Sequence, residues 1–264
     1  MAKTRRKWGR WIAAAIAAVL VVACVGFAAY VSNPYRADET ALEAAADQGE
    51  YASDGTEVQR VGDMLAFVPE NASVGLAFYP GGLVEAEAYA PLLQELASRG
   101  VLCVLCPMPL NLAVLNGTAA DGAMQAFPQV DAWYVGGHSL GGVVAANYAA
   151  DHADVVAGLV MLAAYPAADL SSAAFPAIAV RGTEDGVLNY QAYLDSRERW
   201  PQDAREVVLE GGNHSQFGSY GHQKGDGEAT ITPDQQWEDT ADAVVSWMSD
   251  PDAEGRQDPS AEGE

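Results

Sequence analysis

Apolar positions in this chain fall in short blocks separated by longer stretches of mixed character. Val74 to Tyr79, Val101 to Cys106, Trp133 to Val135, Gly158 to Leu162, Ala177 to Val180 and Glu206 to Leu209 are apolar nearly throughout, which predicts strands buried on both faces. Two further strand-like pieces lie between Glu57 and Val68, with Met64 to Val68 the clearer. Between the blocks the period changes. Glu87 to Ser98 carries Tyr89, Leu92, Leu93 and Leu96 at helical spacing and stops at Gly100. Further helices are expected over Ala119–Phe127, Val143–Ala150, Tyr190–Trp200 and Pro233–Met248. Alternating strands and helices of this kind predict an α/β fold, a mainly parallel sheet with helices on both faces, over residues 57–249. No internal repeat interrupts it.

The longest apolar block is of another kind. Trp11 to Val31 holds 21 residues without a charge, and at about 1.5 Å per residue it spans roughly 30 Å, the hydrocarbon thickness of a bilayer. A transmembrane helix is expected there. The basic stretch 1–10, with Lys3, Arg5, Arg6, Lys7 and Arg10, places the N-terminus in the cytoplasm and the body outside, as a single-pass signal anchor of the cell membrane. Two other readings use the same residues: a lipoprotein anchored through Cys24 of Val21-Val22-Ala23-Cys24, and a secretory signal cleaved near Phe27-Ala28-Ala29. All three export the body. Residues 32–56 read as a spacer, partly helical, and residues 250–264 as an acidic disordered tail.

Charge narrows the partners. Five of the 14 Lys and Arg lie in the first ten residues, ahead of every acid, leaving nine against 36 Asp and Glu in the rest of the chain. So acidic a body excludes nucleic acid and anionic head groups as partners. Cys103 and Cys106 share one strand, three steps and roughly 10 Å apart, beyond disulfide reach. They are expected to be buried structural thiols. No His/Cys/Asp cluster has ligand spacing, and no phosphate loop of the G-x-x-x-x-G-K-[ST] type occurs, so neither metal nor cofactor is expected.

The chemistry is concentrated at Val135-Gly136-Gly137-His138-Ser139-Leu140-Gly141-Gly142. A serine flanked by glycines at minus two and plus two, after a strand and before a helix, sits on a turn too tight for side chains beside it. These residues resemble the nucleophile elbow of the α/β-hydrolase family, in the G-H-S-L-G-G wording of its esterases and lipases. The resemblance covers roughly residues 57–249, and it implies that Ser139 is a nucleophile activated by a base and an orienting acid. For the acid, Gly182-Thr183-Glu184-Asp185-Gly186 follows a strand and resembles the family's G-T-x-D-G, which points to Asp185, with Glu184 the alternative. For the base, Gly211-Gly212-Asn213-His214 resembles the family's G-x-x-H loop and points to His214, with His222 a second choice. His138 reads as a shape-filling neighbour and His152 as a helix cap.

An oxyanion needs two backbone N–H donors. Leu140, after the nucleophile, supplies one. The other is expected from Pro80-Gly81-Gly82-Leu83, where Pro80 has no N–H, with Gly82 first and Gly81 and Leu83 as alternatives. Only Ala163 to Pro176 separate the strand after the elbow helix from the next, too few for the inserted lid of many relatives. The expected protein is a compact, membrane-anchored serine hydrolase acting on a small-molecule carboxylic ester or related acyl compound. An envelope acyltransferase or thioesterase with the same triad, and a non-catalytic binding protein on the same scaffold, are the alternatives. Leu110, Leu112, Val114 and Leu115 could line an acyl groove or belong to the core.

Overall fold

The computed structural model describes residues 2–46 and 55–249, with side chains from Ala15 onward. The expected tail, 250–264, and residues 47–54 of the expected spacer lie outside the described residues. The chain divides into two compact units, Met1–Pro34 and Tyr35–Glu264.

The first unit is helix α1, Ala2–Val31. It ends before Ser32-Asn33-Pro34, where a proline disfavours helical conformation in the residue before it. Val19, Leu20, Val22, Val25 and Phe27 along it are exposed. Among the described residues no helix is long and apolar enough to cross a membrane. The side chains of Trp11–Ala14, the start of the expected span, lie outside the described residues.

The second unit is built on one eight-stranded sheet: β1 (Thr56–Val61), β2 (Met64–Pro69), β3 (Val74–Tyr79), β4 (Val101–Leu105), β5 (Ala132–His138), β6 (Val156–Leu162), β7 (Ala177–Gly182) and β8 (Ala204–Leu209). Their order across the sheet is β1-β2-β4-β3-β5-β6-β7-β8. β2 runs antiparallel to β1 and β4, and the strands from β4 to β8 pair in parallel. The chain leaves β3 for β4 on one side and then crosses to β5 on the other. Such a reversal opens a crevice at the carboxyl ends of the strands, and there Tyr79 of β3 pairs with Gly137 of β5.

Alternation along the strands sorts the core into two layers. Leu76 and Phe78 of β3 face a layer with Leu92, Leu93 and Leu96 of α3 (Ala90–Ser98) and Trp237, Val244 and Trp247 of α7 (Pro233–Ser249). Ala77 and Tyr79 face the opposite layer, with Ala120 and Ala123 of α4 (Ala119–Ala126), Val144 and Tyr148 of α5 (Leu140–Asp151) and Tyr193 of α6 (Tyr190–Ser196). Each fully buried Leu or Phe contributes about 1.5–3 kcal/mol. Cys103 and Cys106 are buried free thiols on opposite layers. Burial raises both, Cys106 to about 12.

Part of the expected spacer is bound to this body. Tyr35 bridges Val84, donating its N–H to Leu83 O (2.7 Å) and accepting from Glu85 N (2.9 Å). Helix α2, Glu39–Ala45, follows, capped by Asp38 Oδ1 accepting from Ala41 N at 3.1 Å, with Ala41 and Ala44 buried. Between β6 and β7, residues 163–176 form neither helix nor strand.

Candidate active site

Ser139 sits between β5 and α5 with φ 52° and ψ −123°, a left-handed conformation that costs a non-glycine residue of order 1–3 kcal/mol. The turn holds it: Ser139 N–H donates to Leu162 O (2.9 Å) and Ser139 O accepts from Val143 N (3.2 Å). The flanking glycines are required by space. A Cβ on Gly137 would lie 2.5 Å from Tyr79 O, and one on Gly141 would collide with the carbonyl oxygens of Tyr79 and Pro80. Strand β3 therefore passes directly beneath the elbow, and the loop leaving it, 80–83, adjoins the start of α5.

That adjacency sorts the amides of the loop. Gly81 N–H is spent on Tyr89 Oη (2.9 Å) and Leu83 N–H on Asn111 O (2.7 Å). Gly82 N–H has no partner among the described residues, and a Cβ on Gly82 would lie 3.0 Å from Leu140 Cδ2. Of the three donors considered, Gly82 alone is left unbonded, next to Leu140 at the first position of α5, where backbone N–H groups lack helical partners.

Asp185 and His214 meet because β7 and β8 are neighbours. Gly182 pairs with Leu209, so the two following loops leave the sheet side by side. Asp185 Oδ2 lies 2.9 Å from His214 Nδ1, the side chains being 2% and 1% exposed. The other oxygen, Oδ1, accepts from the N–H groups of Val187 (2.9 Å) and Leu188 (2.8 Å). A carboxylate oxygen against Nδ1 favours the tautomer with its proton there, which leaves Nε2 as the acceptor. His214 Nε2 is buried without a hydrogen-bond partner. Glu184, the alternative acid, accepts from Thr183 Oγ1 (3.2 Å) and makes no bond to His214.

His138 packs its ring 4.4 Å from that of His214, and its Nδ1 lies 2.8 Å from Tyr89 Oη. Burial first, and repulsion from His214 second, hold His138 well below the usual histidine range, so its ring is neutral. Burial also raises the Tyr89 phenol, which keeps its proton. Tyr89 thus accepts from Gly81 N–H and can donate to His138 Nδ1, linking the 80–83 loop to the residue before the elbow. His152 lies apart, stacked on Tyr148 at 4.1 Å with Nδ1 3.0 Å from Tyr148 O, and His222 is exposed.

Leu110, Leu112, Val114 and Leu115 divide. Leu112 is buried, whereas Leu110, Val114 and Leu115 are 51%, 59% and 49% exposed. Their loop is tied beside the site through Asn111 O to Leu83 N and through Gly117 O to Tyr79 Oη (2.9 Å). Two supports had no signal in the sequence. Gln236 of α7, fully buried, accepts from Asn213 N (3.0 Å) and donates to Asn213 O (2.8 Å), and Asp226 binds the backbone of His214. Among the described residues no group of three or more His, Cys, Asp or Glu is placed to hold a metal ion.

The model of the alpha/beta hydrolase family matches residues 75–238, more than half of the 264. No curated protein sequence matches the chain. Among solved structures, Est1E from Butyrivibrio proteoclasticus superposes with a TM-score of 0.52 at 15% identity, over 74% of this chain and 99% of that one. A dienelactone hydrolase from Anabaena variabilis gives 0.55 at 15% identity, over 74% and 98%. At such identities the likeness is one of fold.

Proposed function

From the premise that the chain belongs to the α/β-hydrolase family, we propose that it is a serine hydrolase of carboxylic esters or related acyl compounds, working through Ser139, His214 and Asp185. The observation that carries the reading is the 2.9 Å contact of Asp185 Oδ2 with His214 Nδ1, which favours the tautomer protonated there, beside a buried Nε2 without a hydrogen-bond partner. A base in that state can take a proton, and we assign the nucleophile to Ser139, a partly exposed residue that follows His138, whose ring packs 4.4 Å from that of His214.

In the reaction, Ser139 Oγ attacks the acyl carbon while its proton passes to His214 Nε2. The carbonyl oxygen becomes an oxyanion held by the N–H groups of Leu140 and Gly82. His214 then returns the proton to the leaving oxygen as the ester bond breaks, leaving an acyl-serine. Water repeats the sequence, giving its proton to Nε2, and the acid departs as Ser139 regains its hydrogen. Asp185 stays ionised and stabilises the transient imidazolium. Each oxyanion donor is worth about 3–4 kcal/mol of transition-state stabilisation.

The uncharged run from Trp11 to Val31 behind five basic residues supports the further proposal that α1 anchors this hydrolase in a membrane with the body outside the cytoplasm. Release of the intact chain by alkaline washing of membranes would refute the anchor.

The test of the chemistry is the intact mass of the full chain in detergent after treatment with a fluorophosphonate. One adduct on the parent, absent from folded Ser139→Ala and His214→Ala, is expected. A folded parent that takes no adduct, or an adduct that persists in Ser139→Ala, would overturn the assignment.

A further inference from the structure

We propose that Asp226 is a positioning residue: its single carboxylate ties the loop that carries Asp185 to the loop that carries His214, and so holds their hydrogen bond in register. Oδ1 of Asp226 accepts from the N–H groups of Gly186 (3.1 Å), His214 (3.2 Å) and Gly227 (2.9 Å). Oδ2 accepts from Ser215 N (2.7 Å) and from the Ser215 hydroxyl. One side chain thus binds the residue after the acid, the base itself and the residue after the base.

Two loops leave β7 and β8 side by side, and bonds nearer the sheet already join them: Gly211 N–H to Thr183 Oγ1 (2.8 Å) and Glu184 N–H to Gly212 O (2.8 Å). Those fix the stems. Asp226 fixes the tips, where a displacement of about 1 Å would cost on the order of a hundredfold in rate. Its own segment is set to receive both. A Cβ on Gly186 would lie 2.6 Å from Gly225 O, and one on Gly227 would collide with Glu184 O, so this segment presses on the acid loop. Asn213 Nδ2 donates to Gly227 O (2.8 Å), which joins it to the base loop. Gln223 N–H donates to Ser215 Oγ (2.9 Å), orienting that hydroxyl toward Asp226. Burial would raise the Asp226 carboxyl, but the bonds from Ser215, Gly186 and His214 outweigh it and hold the group below the usual carboxylate range. It works as an anion, with both oxygens filled by donors from the two loops.

The catalytic consequence rests on the hydrolase reading; the positional one does not, and the experiment separates them. In Asp226→Ala, kcat is expected to fall about 10- to 100-fold with KM within about twofold, as for a group that shapes the transition state rather than binding. Asp226→Asn, which keeps one acceptor oxygen, should fall between. Independently of turnover, the downfield proton resonance of His214 Nδ1–H, assigned by its loss in His214→Ala, should broaden or disappear in Asp226→Ala. A resonance unchanged in position and width in a folded Asp226 variant would overturn the proposal, as would an unchanged kcat in an enzyme whose turnover Ser139→Ala abolishes. Turnover that survives Ser139→Ala would sink the hydrolase reading, while the resonance would still decide the role of Asp226. Should Asp226→Ala fail to fold by circular dichroism, Asp226→Asn carries both readouts.

Discussion

Tyr89→Phe removes one oxygen atom from the link between the 80–83 loop and the elbow, and its cost can be worked from the contacts. The ring would stay, packed 5.2 Å from Phe78 and 5.7 Å from His138, so little apolar burial is lost. What changes is that Gly81 N–H and His138 Nδ1, both buried, lose their partner at once. A buried polar group left unpaired costs about 1–3 kcal/mol, so the pair should cost roughly 2–4 kcal/mol after partial relaxation. In a domain of this size that is a fall of roughly 5–15 °C in Tm. Gly81 also directs its neighbour Gly82, so kcat/KM should drop about tenfold, equivalent to about 1.4 kcal/mol of transition-state binding. Urea unfolding followed by fluorescence gives the first figure and initial rates on a soluble ester the second. Tyr134→Phe is the control: that residue is also buried, but its hydroxyl has no hydrogen-bond partner among the described residues, and it should be near neutral. If Tyr89→Phe costs less than about 0.5 kcal/mol, the value of an ordinary surface change, the bonds through Tyr89 do not hold this loop.

Other outcomes follow from the same geometry. Gly141→Ala sets a methyl against two backbone oxygens that cannot move aside, so its urea midpoint should fall by the equivalent of about 3 kcal/mol or more; a variant as stable as the parent would contradict the close crossing of β3 and α5. His138 is neutral in the fold and titrates near 6.5 when unfolded, so the unfolded chain takes up a proton the folded one refuses. Its contribution is therefore complete above pH 6.5 and shrinks below it, by up to about 1.4 kcal/mol per pH unit. Unfolding free energies at pH 7.5 and 5.5 should show this slope, and His138→Gln should flatten it; equal slopes would remove His138 as the cause.

Much of this architecture was legible because burial on both faces leaves a plain trace. The uninterrupted apolar runs at Val74, Val101, Gly158 and Ala177 all became strands of the parallel part of the sheet, and the glycines around Ser139 marked a crossing that only hydrogen side chains permit. That Asp185 and His214 would pair was readable from resemblance, since each follows a strand in a recognisable wording. Choosing among Gly81, Gly82 and Leu83 was not, because the choice depends on which amides are already occupied by Tyr89 and Asn111, residues 8 and 28 positions further along the chain. Asp226 left no trace for a different reason. It lies in a polar loop with the composition of any solvated turn, and its partners, the Ser215 hydroxyl apart, are backbone amides, which every residue type but proline has. Tyr35–Ala46 looked like a spacer because alanine and glutamate also suit a solvated helix; burial of Ala41 and Ala44 shows only once α3 is beside them.

The brevity of residues 163–176 has a kinetic meaning. With no folded insertion between β6 and β7 and with Ser139 itself partly exposed, no inserted domain between these strands has to open before a reagent meets Ser139. Modification should then rise in proportion to reagent concentration, without the plateau that a slow opening step imposes. Solvent shares the same entrance. On the proposed hydrolase reading, a competing alcohol would capture an acyl group only by binding beside it more tightly than water does, so any selectivity for transfer would have to come from contacts that hold the alcohol itself.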